Sequence, residues 1–240
     1  MSSLGDVLKF KGKLNEALQH YKKALSINVN QPQTLMALLH TKLICCDWQH
    51  YDDLFKQLLI QVTTQVHSGE LPVADPFNSF MLDFTADQKF EIARKYSEHI
   101  KQQTHLSIQS MGSQIPEFKY QMPSLQEVLS NSGTKIRIGY MSWDFADHPL
   151  SHLLQSIFKM HDRSKFSVVG FSLRKSDQSS YRMAIEQGCD EFFQIDEGMS
   201  AVELASFVNS KNIQILFNLN GWTMGERTDV FVLRPAPIQI

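Results

Sequence analysis

Residues 135–160 read KIRIGYMSWDFADHPLSHLLQSIFKM, and this order predicts a β-strand, a polar turn and an apolar helix. Apolar side chains at Ile136, Ile138 and Tyr140 alternate as they do in a strand, and the helix is predicted over residues 149–160. Open α/β sheets bind their ligands outside the carboxyl ends of their parallel strands. The turn therefore supplies four candidates for a functional site: Asp144, His148, Ser151 and His152.

The chain after Lys135 continues to alternate strands with helices. Strands are predicted over 166–173, 191–195 and 213–219, with helices over 179–186 and 201–209. Residues 230–240 predict the end of a helix, a turn made rigid by prolines and the opening of another strand. Because the strands are near-continuous apolar runs, we expect a doubly wound parallel sheet covered on both faces over residues 135–240.

A second polar segment, NLNGWT at 218–223, follows the strand predicted over 213–219. In a doubly wound sheet it lies at the same edge as Asp144 and His148. Asn218 and Asn220 alternate and so point to one side, and Gly221 permits a tight turn. The two amides and the Thr223 hydroxyl can bind a sugar or a peptide. An Asn-Gly turn selected for its backbone shape is an equally good explanation.

His148 and His152 stand four residues apart at the start of the predicted helix. Histidines at this spacing can bind a metal, but no H-E-x-x-H motif is present and Pro149 places His148 at the cap, so no metal is expected. The positive end of the helix dipole favours a neutral imidazole, which suits a general base or a hydrogen-bond acceptor. The alternatives are a turn-stabilising His148 and a His152 that packs against the sheet.

The first part of the chain is predicted to be helical, with Gly12 between its first two helices. Its small and apolar positions fit the tetratricopeptide consensus: Leu4, Gly5, Leu8, Ala17, Tyr21 and Ala24. A second helical pair is predicted over 33–44 and 47–67, the longer helix carrying an apolar stripe of Trp48, Tyr51, Leu54, Phe55, Leu58 and Val62. Such repeats bury their faces against neighbours, so we expect the chain to begin within a longer array.

A transition region is predicted between the helical repeats and the sheet. It consists of a proline-containing connector, a helix over 88–103 and a loose Ser-, Gln- and Pro-rich linker over 104–134. The helix is predicted to face inward with Phe90, Ala93, Tyr96 and Ile100, and Ser124 to cap a short helix in the linker. The predicted domains are therefore 1–67, 68–134 and 135–240.

The composition of the chain limits the classes of protein to which it can belong. The chain has 240 residues with 23 basic and 25 acidic side chains, a net charge of -2, which gives no electrostatic case for nucleic acid or an anionic membrane. No apolar run is long enough to span a bilayer, and the N-terminus has no signal-peptide core. Cys45, Cys46 and Cys189 lack C-x-x-C spacing and are expected to be reduced thiols, so a cytoplasmic or nuclear location is expected.

Several segments in one order resemble the O-GlcNAc transferase family, whose nucleocytoplasmic members attach N-acetylglucosamine to Ser and Thr. Residues 4–30 resemble the terminal repeats of that family, and residues 46–52 resemble its transition to the catalytic region. Residues 136–161 resemble the first strand, turn and helix of the amino-terminal catalytic lobe, and residues 218–225 and 233–239 complete it. The chain is therefore identified as a member of this family.

The resemblance implies a GT-B glycosyltransferase with two Rossmann-like lobes, of which this chain carries helical repeats and the amino-terminal lobe. It implies UDP-GlcNAc as the donor, inversion at the anomeric carbon, and no metal or other cofactor. His148 matches the active-site histidine of the family, proposed there as a base or as an acceptor-binding group. Asn220 and Thr223 match residues that line the same cleft. The other residues expected to bind substrate are Asp144, Ser151, His152, Asn218 and Gly221. The repeats are expected to bind protein or peptide substrates.

Two alternatives follow from the same pattern. A protein O-fucosyltransferase shares the architecture, although the sequence HPLSH at 148–152 looks closer to the GlcNAc branch. A non-catalytic interaction protein that binds peptides through its repeats is the second. Neither G-x-G-x-x-G nor G-x-x-x-x-G-K-[ST] occurs, so a nucleotide-binding lobe is expected beyond Ile240. Without that lobe the chain alone is expected to have little or no transferase activity.

Overall fold

The computed structural model describes residues 2–130 and 133–240, and the chain divides into two compact units, residues 1–99 and 100–240. Helix α6 (Ala86–Ser110) begins in the first unit and ends in the second. Residues 131 and 132, which fall in the predicted linker, lie outside the described residues. The predicted domain limits at 67 and 134 stay predictions.

The first unit is built from helices, and the first four of them pack each on the next in sequence. They are α1 (Ser2–Phe10), α2 (Leu14–Ile27), α3 (Pro32–Ile44), α4 (Tyr51–Ser68) and α5 (Pro76–Ser79), followed by the start of α6. Ala17 and Tyr21 of α2 are fully buried, as the repeat pattern predicts, and Leu39 and Leu58 are buried in the core that α3 and α4 share. The predicted helical hairpins are confirmed.

Two aromatic residues expected on the buried side of these helices lie on the surface instead. Trp48 is 63% exposed because α4 begins only at Tyr51, so Trp48 stands in the preceding turn against the edge of the Tyr51 ring. Phe90 is 65% exposed, whereas Ile92 is buried. Two residues along a helix correspond to a rotation of about 200°. The inward face of α6 therefore runs through Ile92 and leaves Phe90 in solvent.

The second unit contains a parallel sheet of five strands in the order β3-β2-β1-β4-β5. The strands are β1 (Ile136–Ser142), β2 (Phe166–Ser172), β3 (Glu191–Gln194), β4 (Ile215–Asn218) and β5 (Ile238–Gln239). In β1 and β2 the last five residues are all buried, because helices and loops cover both faces of the central strands. The predicted Rossmann-like sheet is confirmed.

One helix of this unit precedes the sheet and the others connect its strands, and three of the six begin at a serine whose side chain caps the helix. They are α7 (Leu125–Leu129), α8 (Pro149–Leu154), α9 (Ile157–Met160), α10 (Ser180–Gly188), α11 (Ala201–Ser210) and α12 (Thr228–Val232). Ser124, Ser179 and Ser200 each accept a hydrogen bond from a backbone N–H of the first turn. The single helix predicted over 149–160 is wrong. It divides at Gln155, whose side chain donates to the His152 carbonyl that a continuous helix needs.

The predicted loose linker is more ordered than its composition indicated. Its first seven residues, 104–110, belong to α6, because Ile108 is buried in the core of the second unit. Further along, the carbonyls of Lys119 and Gln121 accept hydrogen bonds from the side chains of Asn209 and Gln214. None of the helices in the described part of the chain is long and apolar enough to cross a membrane.

Candidate functional site

The candidate site lies where β1 and β4 are neighbours, at the carboxyl edge of the sheet. Chain order reverses here, since β2 and β3 lie on one side of β1 and β4 and β5 on the other. At such a switch point the loops that leave two adjacent strands separate and open a crevice. The loop after β1 carries Asp144 and His148, and the loop after β4 carries Asn220 and Thr223, so the two predicted polar segments meet.

Asn220 joins the two loops, and every hydrogen-bonding position of its side-chain amide is occupied. Its oxygen accepts from the Trp143 N–H at 2.6 Å and from the Ser142 hydroxyl at 3.2 Å. Its nitrogen donates to Asp144 Oδ2 at 2.7 Å and to Thr223 Oγ1 at 3.0 Å. The side chain is buried, with 6% of the residue exposed. Asn220 therefore sets the separation of the loops.

Asp144 is a buried carboxyl group in the loop after β1, with 8% of the residue exposed. Burial raises its pKa above the ordinary value, while the nearby His148, the hydrogen bond from Asn220 and the charge of Arg174 act in the opposite direction. Its Oδ1 lies 3.8 Å from His148 Nε2, outside hydrogen-bond distance. The Asp144 carboxylate thus fixes negative charge directly beside the His148 ring.

His148 is the N-cap of α8, and it caps the helix with its ring. Nδ1 accepts a hydrogen bond from the Leu150 N–H at 3.2 Å. In the neutral ring one nitrogen is an acceptor and the other carries the proton. Because Nδ1 is the acceptor, the proton belongs on Nε2, the nitrogen nearer to Asp144. The side chain is 44% exposed, so the ring can be reached by a ligand from solvent.

Ser151 and His152, the other two predicted residues of the turn, differ in position. Ser151 is fully buried, and its hydroxyl donates to the Asp144 carbonyl at 2.6 Å and accepts from the Ala146 N–H at 3.3 Å. It therefore holds the turn that carries Asp144. His152 is exposed rather than packed against the sheet, with Nε2 2.7 Å from Asp147 Oδ1 and its ring 4.0 Å from that of Tyr181.

The residues after β4 form a compact turn. Asn218 Oδ1 accepts from the backbone N–H groups of Asn220 and Gly221, both at 3.1 Å. Gly221 has a φ of +56° and open space where a Cβ would stand. Thr223 Oγ1 donates to the Asn220 carbonyl while it accepts from the Asn220 amide. The Asn-Gly turn therefore fixes the backbone of this segment, and the hydrogen bonds named here are made within the protein. Binding of a sugar or a peptide by these side chains stays a prediction.

Two residues that build the site were missed by the sequence interpretation. Arg182 of α10 is 1% exposed and donates to the Phe145 carbonyl at 3.1 Å and to the Ser172 hydroxyl. It also pairs with Glu186 at 2.5 Å. A buried arginine 37 residues from Phe145 gives no local signal. Trp143, directly before Asp144, packs its ring against Gly225 and so couples the two loops a second time.

Replacing Gly225 with Ala is expected to destabilise the second unit by about 2 kcal/mol. Its φ is +82°, and a Cβ at this position would lie 2.3 Å from the Trp143 ring. The left-handed backbone and the clash contribute together. The free energy of unfolding in urea is the measurement, and Gly221→Ala is the matched control. It carries the same backbone cost without the clash, so equal losses in both variants would contradict the contact with Trp143.

The geometry leaves one group well placed to meet a ligand. Asn220, Ser151 and Asn218 hold protein partners, whereas the His148 ring presents a donor to solvent beside the Asp144 carboxylate. Such an arrangement can donate a hydrogen bond to a hydroxyl or phosphate oxygen. Within residues 2–130 and 133–240, no three His, Cys, Asp or Glu side chains are grouped closely enough to hold a metal ion.

Comparison with known proteins gives consistent matches. A family model described as glycosyl transferase family 41 matches residues 45–240. An Arabidopsis thaliana protein named probable UDP-N-acetylglucosamine–peptide N-acetylglucosaminyltransferase SEC is 35% identical over 204 residues, which are 85% of this chain and 20% of that protein. A Caenorhabditis elegans protein named UDP-N-acetylglucosamine–peptide N-acetylglucosaminyltransferase is 34% identical over 197 residues, 82% of this chain and 16% of that protein.

A solved structure is also similar to the chain. It is an O-GlcNAc transferase mutant of Thermobaculum terrenum, and the alignment covers 99% of this chain and 48% of that one, with a TM-score of 0.45 and 17% identity. The chain spans no more than about a fifth of the length of the two curated relatives.

Proposed function

The chain belongs to glycosyl transferase family 41, and on that basis we propose that it supplies the amino-terminal lobe of a protein O-GlcNAc transferase. In this proposal the whole enzyme moves N-acetylglucosamine from UDP-GlcNAc to Ser and Thr of intracellular proteins. The names of two relatives with 34–35% identity over more than four fifths of this chain support the donor and the acceptor class.

The observation that carries the proposal is the His148 ring at the switch crevice, held by Leu150 on one side and facing Asp144 on the other. Glycosyl transfer to a protein requires the acceptor hydroxyl to stand in line with the anomeric carbon while the bond to UDP breaks. A fixed ring N–H at the mouth of the crevice can hold one reacting oxygen in that position. The buried Asp144 stabilises the ring orientation that this contact needs.

Of the two roles considered for His148, this geometry favours substrate binding over general base. A base needs a free lone pair, and the lone pair of Nδ1 is already used by the Leu150 N–H. The Nε2 atom carries the proton and therefore donates. During transfer the acceptor oxygen bonds to the anomeric carbon, the bond from that carbon to UDP breaks, and UDP leaves with the electron pair. The acceptor proton passes to a phosphate oxygen of the departing UDP and not to Nε2.

The remaining parts of the proposal concern the whole protein. The helical hairpins of the first unit are assigned to tetratricopeptide-type repeats that bind protein substrates, supported by the buried Ala17 and Tyr21 at consensus positions. A cytoplasmic or nuclear location is supported by the three unpaired cysteines.

The transfer is proposed to need no metal. The chain alone is proposed to be inactive, because the groups that bind UDP are assigned to a second lobe of the GT-B architecture.

Donor use by the full-length gene product that contains this chain tests the proposal. A Ser/Thr peptide is incubated with UDP-GlcNAc or with GDP-fucose, each with and without EDTA, and the product mass is measured. We expect a mass increase of one N-acetylhexosamine that EDTA does not reduce, and none from the 240-residue chain. Transfer of fucose, or of no sugar at all, would overturn the proposal.

A further inference from the structure

A cavity of about 240 Å³ opens beside the site at the same edge of the sheet. Its buried floor is formed by Leu173 and Ile195, which follow β2 and β3 and are 4% and 5% exposed. Trp143 forms one wall, and the exposed residues Asp196 and Glu197 stand at the mouth. Because Trp143 is followed directly by Asp144, this cavity adjoins the candidate site.

The size of the cavity limits its occupant. Sites for whole small-molecule ligands measure about 300–1,000 Å³. A volume of about 240 Å³ is smaller than this and suits a single side chain of a polypeptide. An apolar floor with an aromatic wall favours the methylene groups of a long side chain.

The charge at the mouth of the cavity determines which end group the bound side chain can carry. Arg227 lines the cavity too, but Asp229 neutralises it with contacts at 3.0 and 3.2 Å, and its remaining nitrogen donates to the Met199 carbonyl. Arg174 and Lys175 follow Leu173 in sequence, yet neither lines the cavity. The carboxylates of Asp196 and Glu197 therefore give the mouth a negative charge, which complements a cation.

We propose that this cavity binds a lysine or arginine side chain of the acceptor polypeptide, a few residues from the serine or threonine that is modified. The stem packs on Leu173 and Ile195, the charged end pairs with Asp196 and Glu197, and the Trp143 ring adds a cation–π contact. The inference rests on the proposed function only in taking a polypeptide as the substrate. It assigns an acceptor specificity that His148 and Asp144 do not provide.

Peptide binding to the full-length gene product tests this proposal without depending on turnover. Labelled serine peptides carry either lysine or norleucine, its uncharged analogue, at each position from four residues before the serine to four after it. Fluorescence anisotropy at low salt gives each dissociation constant. Partly exposed ion pairs contribute about 0.5 kcal/mol each, so lysine should bind about fivefold tighter than norleucine at one position.

The double variant Asp196→Asn, Glu197→Gln should reduce this ratio to about one, and Trp143→Leu should reduce it in part. Glu117→Gln, which changes an exposed carboxylate outside the cavity, should leave the ratio unchanged. Equal binding of both peptides at every position would overturn the proposal. So would a preference that persists in the double variant. Sugar transfer is measured separately on the norleucine peptide, so failure of the proposed function would appear there and not in the binding ratio.

Discussion

Replacing Asn220 with Ala should lower the free energy of unfolding of the second unit by about 4 kcal/mol, the largest loss of stability expected for a site residue. The change removes four hydrogen bonds. It leaves the Trp143 N–H and Oδ2 of the buried Asp144 carboxylate without their hydrogen-bond partner, and each unsatisfied buried group costs about 1–3 kcal/mol. The variant also loses the hydrogen bond that lowers the pKa of Asp144.

Urea unfolding followed by tryptophan fluorescence measures this effect. In a Trp48→Phe background both remaining tryptophans, Trp143 and Trp222, lie in the second unit. Gln187→Ala on the exposed surface of α10, in the same unit, is the control and should change stability by less than about 0.5 kcal/mol. A loss below about 1 kcal/mol in Asn220→Ala would show that the two loops are not joined through this amide.

Replacing His148 with Ala in the full-length gene product should lower kcat about 100-fold, while the dissociation constant of the peptide changes less than about threefold. A hydrogen bond to a reacting oxygen contributes mainly in the transition state, where charge develops. The same change removes the N-cap of α8 and should cost about 1 kcal/mol of stability. Steady-state kinetics and equilibrium peptide binding give the two quantities.

The variant His148→Asn distinguishes the role of His148 as the N-cap of α8 from its role in sugar transfer. Asparagine is a strong N-cap residue and can accept the Leu150 N–H in place of Nδ1, so stability should return to within about 0.5 kcal/mol of the original chain. The shorter side chain does not place a donor where Nε2 stands, so turnover should stay low. Recovery of turnover together with stability would mean that His148 acts only as a cap.

The sheet and the meeting of the two polar loops could be predicted because both follow from chain order. Alternating strands and helices require parallel pairing, and the carboxyl ends of parallel strands share one edge. Asp144 and Asn220 were therefore placed together although they are 76 residues apart. This prediction requires only the order of strands and helices along the chain, without knowledge of any side-chain contact.

The hydrogen-bond partner of each polar atom could not be predicted, because the partners are distant in sequence. Ser151 and Asn220 have the chemistry of substrate-binding residues, yet their hydrogen bonds are made within the protein. Whether Arg182 is buried depends on the Phe145 carbonyl and Ser172. Phe90 is of a residue type that is usually buried. It lies in solvent because the face that α6 turns inward does not include it.

The position of the proton on the His148 ring decides whether the ring both caps α8 and presents a donor. The site depends on Nδ1 accepting the Leu150 N–H, which leaves the proton on Nε2 facing the crevice. Nitrogen-15 NMR of the 240-residue chain at pH 8, assigned with His148→Asn, distinguishes the two ring nitrogens. We expect a protonated Nε2 and an unprotonated Nδ1. A proton on Nδ1 would contradict this expectation, because that ring could neither cap α8 nor present a donor from Nε2.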